Sequence, residues 1–234
     1  MRLLVTRPQP DADETAARLE ALGHTAIVEP LTTIAFRPQP HFETAPAAIA
    51  FTSSNGVRAA AKWPATAAWR GLPVFAVGAK TGAEARQAGF TDVRIAGGDL
   101  TGLVETIVEG FQPDTGRLMH VAGHDRSGDL EGELRAQGFD VATLEAYAAV
   151  SADAFGQETR DAISSGAVDG ALFFSRRSAA IFADLIAEAG LEESAKKLAF
   201  YSISETAGEP LRRFGVVQIA AHPDAAGLIA LIGR

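Results

Sequence analysis

The stretch LLVTRPQPDADETAARLEALGHTAIV, residues 3–28, has a counterpart in LMHVAGHDRSGDLEGELRAQGFDVAT, residues 118–143. Each opens on a short apolar run, passes through a polar turn and continues with apolar residues three and four apart, which reads as strand, helix, strand. Leu19 matches Leu134, and Gly23 matches Gly138 where each helix should end. Two more pairs exist. FTSSNGVRAA (51–60) is similar to FFSRRSAAIF (173–182), and VFAVGAKTGAEARQAGF (74–90) to AFYSISETAGEPLRRFGV (199–216), with Thr81 set against Thr206 and Gly89 against Gly215. The order of the pairs is the informative part. The N-terminal unit comes first, whereas its counterpart follows the other strands of the middle region, so a tandem duplication is excluded.

One arrangement fits. Domain one takes its first strand–helix–strand unit from residues 1–34 and recovers its remaining strands from 151–234, while domain two spans 38–146. Crossing segments fall near 31–38 (LTTIAFRP) and 145–151 (EAYAAVS), and their small apolar and β-branched residues suit either a ribbon or two coils. Ten strands are expected, near 3–6, 25–29, 48–52, 74–77, 92–95, 117–122, 140–146, 169–174, 198–203 and 216–220, alternating with helical segments. The fold class is therefore α/β: two similar doubly wound parallel-sheet domains, one built from both chain ends. Facing each other, they would form a cleft lined by the carboxyl ends of their strands, where open α/β sheets bind ligands.

Composition narrows the function. The chain of 234 residues is 47% hydrophobic and contains no cysteine, which removes disulfides and thiolate chemistry. The first residues, MRLLVTRPQP, break their apolar run at Thr6-Arg7-Pro8, so no signal peptide or membrane span is expected and the cytoplasm is the default compartment. A net charge of −8 without any Lys/Arg block speaks against nucleic-acid binding. VGAKTG lacks the spacing of a phosphate-binding P-loop, and neither GxGxxG nor GxSxG is present, so nucleotide binding and a serine-hydrolase elbow are unsupported. His120 and His124 are four apart with no HExxH glutamate, on a strand end and its loop, and no metal is expected.

The turns after the strands are more suggestive. Small hydroxyl or glycine residues start the following helices, where backbone N–H groups and the helix dipole favour anions. The candidates are Thr6 and Arg7, Thr52, Ser53, Asn55 and Gly56, Gly78, Lys80 and Thr81, Arg126, Ser175 and Arg176, and Thr206. The same Ser and Thr residues serve equally as helix N-caps. Arg7, Lys80, Arg126, Arg176 and Arg177 recur at these turns in an otherwise acidic protein, which favours an anionic ligand, although Arg177 is as well explained by an ion pair.

In this order, LLVTRP with ETAARLEALGH, FTSSNGV, AVGAKTGAEARQAGF, the Gly123–Arg126 turn with LEGELRAQGFDV, LEAYAAV, ALFFSRRSAAIF and SISETA, the chain resembles the uroporphyrinogen-III synthase family over nearly its whole length. Ile203 and the Arg176-Arg177 pair depart from the family pattern. The resemblance implies two flavodoxin-like domains joined by a two-stranded β-ribbon. It implies cyclisation of hydroxymethylbilane to uroporphyrinogen III, with inversion of ring D and loss of water, without metal or organic cofactor. It also implies a cytoplasmic monomer with no nucleic-acid or membrane partner, in transient contact with the preceding pathway enzyme. Tyr147, the tyrosine inside LEAYAAV, is the expected catalytic residue, its phenol donating to the departing hydroxyl. The alternatives are a non-catalytic two-domain module that closes on a small anion, and a two-lobed transferase, for which a nucleotide fingerprint is missing.

Overall fold

The computed structural model describes residues 1–42, 44–126 and 128–232. Its strands are β1 (Arg2–Val5), β2 (Thr25–Val28), β3 (Thr32–Phe36), β4 (Ala48–Phe51), β5 (Pro73–Ala76), β6 (Asp92–Ile95), β7 (Leu118–Gly123), β8 (Val141–Ser151), β9 (Gly170–Phe173), β10 (Ala199–Ser202) and β11 (Val217–Ile219). The α-helices are α1 (Asp11–Ala21), α2 (Ser54–Ala60), α3 (Thr66–Trp69), α4 (Ala79–Gln87), α5 (Leu100–Gly110), α6 (Leu130–Arg135), α7 (Gln157–Ser164), α8 (Arg176–Glu188), α9 (Glu192–Ala195), α10 (Glu205–Gly208) and α11 (Ala225–Ile229). The chain divides into two compact units, one of Met1–Thr33 with Val150–Arg234 and one of Ile34–Ala149.

The first unit holds a five-stranded parallel sheet in the order β11-β10-β9-β1-β2. Side chains alternate across it, as the pleat requires. Leu4, Phe173 and Phe200 pack on one face with Phe182 of α8, whereas Leu3, Val5, Leu172 and Tyr201 pack on the other with Leu19 of α1 and Leu228 of α11. Helix α1 forms because Ala12, Thr15, Ala16 and Leu19 make one buried stripe and Asp11, Asp13 and Glu14 complement the dipole in its first turn. Gly23, at φ +82°, ends it by donating to the Glu20 carbonyl.

The second unit holds six strands in the order β3-β8-β7-β4-β5-β6. Its β8-β7-β4-β5-β6 core is parallel and repeats the neighbour order of the first unit, with β7 in the place of β1 and β4 in the place of β9. One face packs Ile49, Phe51, Met119 and Val121 under α2 and the Trp63 and Trp69 rings; the other packs Ala48, Ala50, Phe75 and Leu118 under α5 and α6. The duplication reaches the level of individual residues. Leu3, Leu4 and Val5 lie opposite Gly170, Ala171 and Leu172, and their sequence counterparts Leu118, Met119 and His120 lie opposite Ala48, Ile49 and Ala50.

The expected strands are all present, and the expected boundaries differ mainly at β8. There the strand 140–146 and the crossing segment 145–151 merge into one strand of 11 residues. The other crossing segment supplies β3, which pairs with β8. Arg37 N–H donates to the Ala146 carbonyl at 2.8 Å and Ala152 N–H to the Leu31 carbonyl at 3.0 Å, a register that runs antiparallel. The ribbon alternative is the one that forms.

The match of Thr81 with Thr206 needs correction. Val74 lies opposite Ile49, whereas Ala199 lies opposite Gly170, the counterpart of Ala48. The helix caps agree with this one-residue displacement: Gly78 caps α4 and Ser204 caps α10. Thr81 and Ala207 are thus equivalent and both buried, while Lys80 and Thr206 are equivalent and both exposed. The runs VGAKT and SISET look alike because each carries a threonine near a helix start, yet position relative to the cap decides which side chain turns inward.

Candidate active site

Helices leave the carboxyl ends of β4 and β7 toward opposite faces of the second unit's sheet: α2 contributes Val57 and Ala60 to one core, and α6 contributes Leu130 and Leu134 to the other. Divergence of this kind opens a crevice between the two strand ends. A concavity of about 170 Å³ lies there, and its walls include Thr52, Ser53, His120, Gly123, Asp125, Arg126 and Tyr147. A second, of about 520 Å³, shares His120 and Arg126 and extends past His124, Asp129 and Thr143.

Tyr147 reaches the crevice through a bulge. Ala122 lies opposite Glu145 but Gly123 lies opposite Tyr147, so β8 carries one extra residue at Ala146. Ala146 and Tyr147 consequently both pack toward the core that contains Phe51 and Val57. Gly123 makes room for the ring: a Cβ there would come within 2.8 Å of the phenol carbons. The Ser53 side chain and the Tyr147 ring both line this concavity. Burial is the main cause that pushes the Tyr147 pKa up from 10, with the Asp125 carboxylate adding to the rise and the Ser53 side chain opposing it. The phenol therefore keeps its proton throughout the neutral range.

Ser53 does two things. Its extended backbone, at φ −157° and ψ 146°, places it as the N-cap of α2, where its hydroxyl accepts from the Asn55 N–H at 3.2 Å. Ser175 occupies the equivalent place before α8, at φ −158° and ψ 152°, accepting from the Ser178 N–H at 3.2 Å. Asn55 turns toward Arg58, which donates to its Oδ1 at 3.2 Å and is also bonded to Glu84. Gly56 is required by packing, because a Cβ would meet the Val121 carbonyl oxygen at 2.6 Å.

The structure thus gathers Thr52, Ser53, Arg126 and Tyr147 in one concavity, with Asn55 and Gly56 on the same turn. Gly78, Lys80 and Thr81 lie on the neighbouring turn after β5 and do not line it. The remaining candidates belong to the other unit. The Thr6 hydroxyl is fully buried and donates to the Leu172 carbonyl at 2.7 Å. Arg7 pairs with Asp11 at 2.7 Å and lies over the Phe174 ring, 4.1 Å from its centroid. Arg176 pairs with Glu209 at 2.8 Å, and Thr206 is exposed on α10.

Asp125, on the candidate Gly123–Arg126 turn, lines the crevice, and so does His120, which the sequence offered only as a dismissed metal ligand. His120 is 4% exposed, and burial, reinforced by the Arg126 charge, lowers its pKa to about 4 against the opposing pull of Glu131 and Asp129. It is an uncharged ring at neutral pH. The available signal was a lone histidine inside the apolar run LMHVAG, which metal-ligand spacing does not reveal. Among the described residues no cluster of three or more His, Asp or Glu side chains could hold a metal ion, and no helix is long and apolar enough to cross a membrane.

Comparison with known proteins agrees with the architecture. The family model described as Uroporphyrinogen-III synthase HemD matches residues 13–230. A crystal structure of uroporphyrinogen-III synthetase from Helicobacter pylori 26695 superposes with a TM-score of 0.66 at 17% identity, covering 99% of this chain and 98% of that one. A mutant uroporphyrinogen III synthase from the extremely thermophilic bacterium Thermus thermophilus gives 0.52 at 18% identity, covering 99% and 97%. No curated protein sequence matches.

Proposed function

The chain belongs to the uroporphyrinogen-III synthase family and is a cyclising lyase that converts hydroxymethylbilane to uroporphyrinogen III and water, inverting ring D, and we propose that Tyr147 in the β4–β7 crevice assists this reaction directly. The observation that carries the proposal is the meeting of one protonated, half-buried phenol with Thr52, Ser53 and Arg126 at the strand-order reversal of the second unit.

The substrate's own pyrrole nitrogens push out the terminal hydroxyl, which must leave with a proton. A phenol held protonated can donate that hydrogen bond as the C–O bond lengthens. Water departs, the resulting azafulvene carbon is attacked by the substituted carbon of ring D, and the spiro intermediate reopens and recloses with the ring reversed. Side chains need only bias this sequence, since about 1.4 kcal/mol between competing transition states changes a product ratio tenfold. Arg126 and the Thr52 hydroxyl are assigned to hold acetate and propionate groups. A further carboxylate is assigned to the turn at Gly78–Thr81 in the same unit. We also assign the chain to the cytoplasm as a monomer that receives its labile substrate by transient contact with the enzyme that makes it.

Tyr147→Phe tests the central claim. Turnover of freshly made hydroxymethylbilane should fall about 100-fold, the low end of general-acid assistance, with isomer III still the product. An unchanged kcat in a folded variant would remove Tyr147 from the chemistry.

A further inference from the structure

His120 sits under the floor of the crevice with a threonine hydroxyl at each ring nitrogen. Its Nε2 is 3.1 Å from Thr52 Oγ1 and its Nδ1 is 3.4 Å from Thr143 Oγ1. Thr52 follows β4, His120 belongs to β7 and Thr143 to β8, so the three groups form a row across three neighbouring strands. The ring is almost wholly buried, and that burial keeps it uncharged. An uncharged imidazole carries one donor and one acceptor. The row then has two self-consistent polarities. In one, the Thr143 hydroxyl donates to Nδ1, Nε2–H donates to Thr52 Oγ1, and the Thr52 proton points outward. In the other every bond is reversed, and Thr52 offers only lone pairs to whatever enters the crevice.

The substrate is recognised through acetate and propionate groups, which are acceptors when ionised. A lone pair aimed at a carboxylate repels it; a hydroxyl proton binds it. We propose that His120 is a positioning residue that holds the row in the first polarity, making Thr52 an obligatory hydrogen-bond donor to a substrate carboxylate. This rests on the reading of the crevice as the bilane site. His120 does not touch the reacting atoms; it acts through Thr52, and its effect belongs in substrate binding.

Two measurements test it. The 15N shifts of the His120 ring in the intact wild-type protein at neutral pH report the tautomer directly: Nε2 should be pyrrole-type and Nδ1 pyridine-type, and the opposite assignment overturns the proposal. Steady-state kinetics then compare Thr52→Val, His120→Leu, His120→Gln and the Thr52→Val/His120→Leu pair. Thr52→Val and His120→Leu should each raise KM about tenfold, the loss of one hydrogen bond to a charged group, with kcat within about twofold. The pair should be no worse than either alone, because both remove one interaction. His120→Gln, whose side-chain amide can donate where Nε2–H does, should recover most of the lost affinity. A raised KM in Thr52→Val beside unchanged kinetics in His120→Leu would overturn the role of His120 and leave the site standing. An unchanged KM in Thr52→Val would overturn the carboxylate seat itself, and this inference with it.

Discussion

Burying an uncharged imidazole makes the second unit sensitive to acid in a way that can be calculated. In the unfolded chain His120 should take up its proton near the ordinary value of 6.5, whereas in the fold it does so only near 4, because the charged ring loses its hydration and faces Arg126. Between those limits the unfolded state binds more protons than the native one, so stability falls as the pH is lowered. The gradient is about 1.4 kcal/mol per pH unit, and the accumulated loss by pH 4 is about 3 kcal/mol. Above pH 6.5 the group contributes no pH dependence, and below pH 4 the loss no longer grows. Urea denaturation at pH 7.0, 5.5 and 4.5 measures this, with His120→Gln as the non-titrating reference so that all other groups cancel. Both tryptophans, Trp63 and Trp69, are buried in the second unit, and their fluorescence reports that unit's unfolding. The wild type should lose about 2 kcal/mol more than the variant between pH 7.0 and 4.5. Parallel stability curves for the two proteins would show that His120 titrates normally and that the argument from burial is wrong.

Gly123→Ala would drive a methyl group into the Tyr147 ring, which lies 2.8 Å from the position of that Cβ. It should lower kcat about as much as Tyr147→Phe while leaving the far-UV circular dichroism unchanged, and wild-type turnover would refute the placement of the ring. Ser53→Ala and Ser175→Ala each remove one N-cap bond and should cost the same ~1 kcal/mol of stability in urea titrations. Only Ser53 also lines the concavity beside Tyr147, so turnover should drop several-fold more in Ser53→Ala, and equal kinetics in the two variants would count against a role for Ser53 at the phenol.

The architecture was legible because both repeats keep the residues that end and pack their helices. Gly23 and Gly138 both adopt positive φ, and Ser53 and Ser175 both cap. These features depend on local chemistry and survive as recognisable letters. The bulge at Ala146 does not. It falls where β8 pairs with β7 on one edge and β3 on the other, and no residue type in LEAYAAV announces it. His120 was illegible for a related reason: an imidazole in an apolar run reads as a core residue until the partners on two other strands are known. The displaced match of Thr81 with Thr206 had the opposite cause, a local likeness too strong for the one-residue shift in strand pairing that the structure reveals.

The duplication also explains why the second unit has the open crevice. In the register shared by the two sheets, Val5 corresponds to His120, Arg7 to Ala122, Pro8 to Gly123 and Phe174 to Thr52. In the first unit the Arg7 guanidinium lies 4.1 Å from the Phe174 ring centroid and is tied to Asp11, while the Thr6 hydroxyl is bonded to the Leu172 carbonyl. At that strand end the arginine and the threonine hydroxyl are engaged by groups of their own unit. At the corresponding place in the second unit an alanine, a glycine and a threonine replace an arginine, a proline and a phenylalanine. The smaller residues leave room at this end of the sheet, and at Gly123 the Tyr147 ring takes the place a Cβ would need. A buried valine needs no partner, but a histidine in its place must be given two, and Thr52 and Thr143 provide them. The small residues at the strand ends and the hydroxyl–imidazole row therefore occur together in the second unit, where the equivalent positions of the first carry apolar and ion-paired side chains.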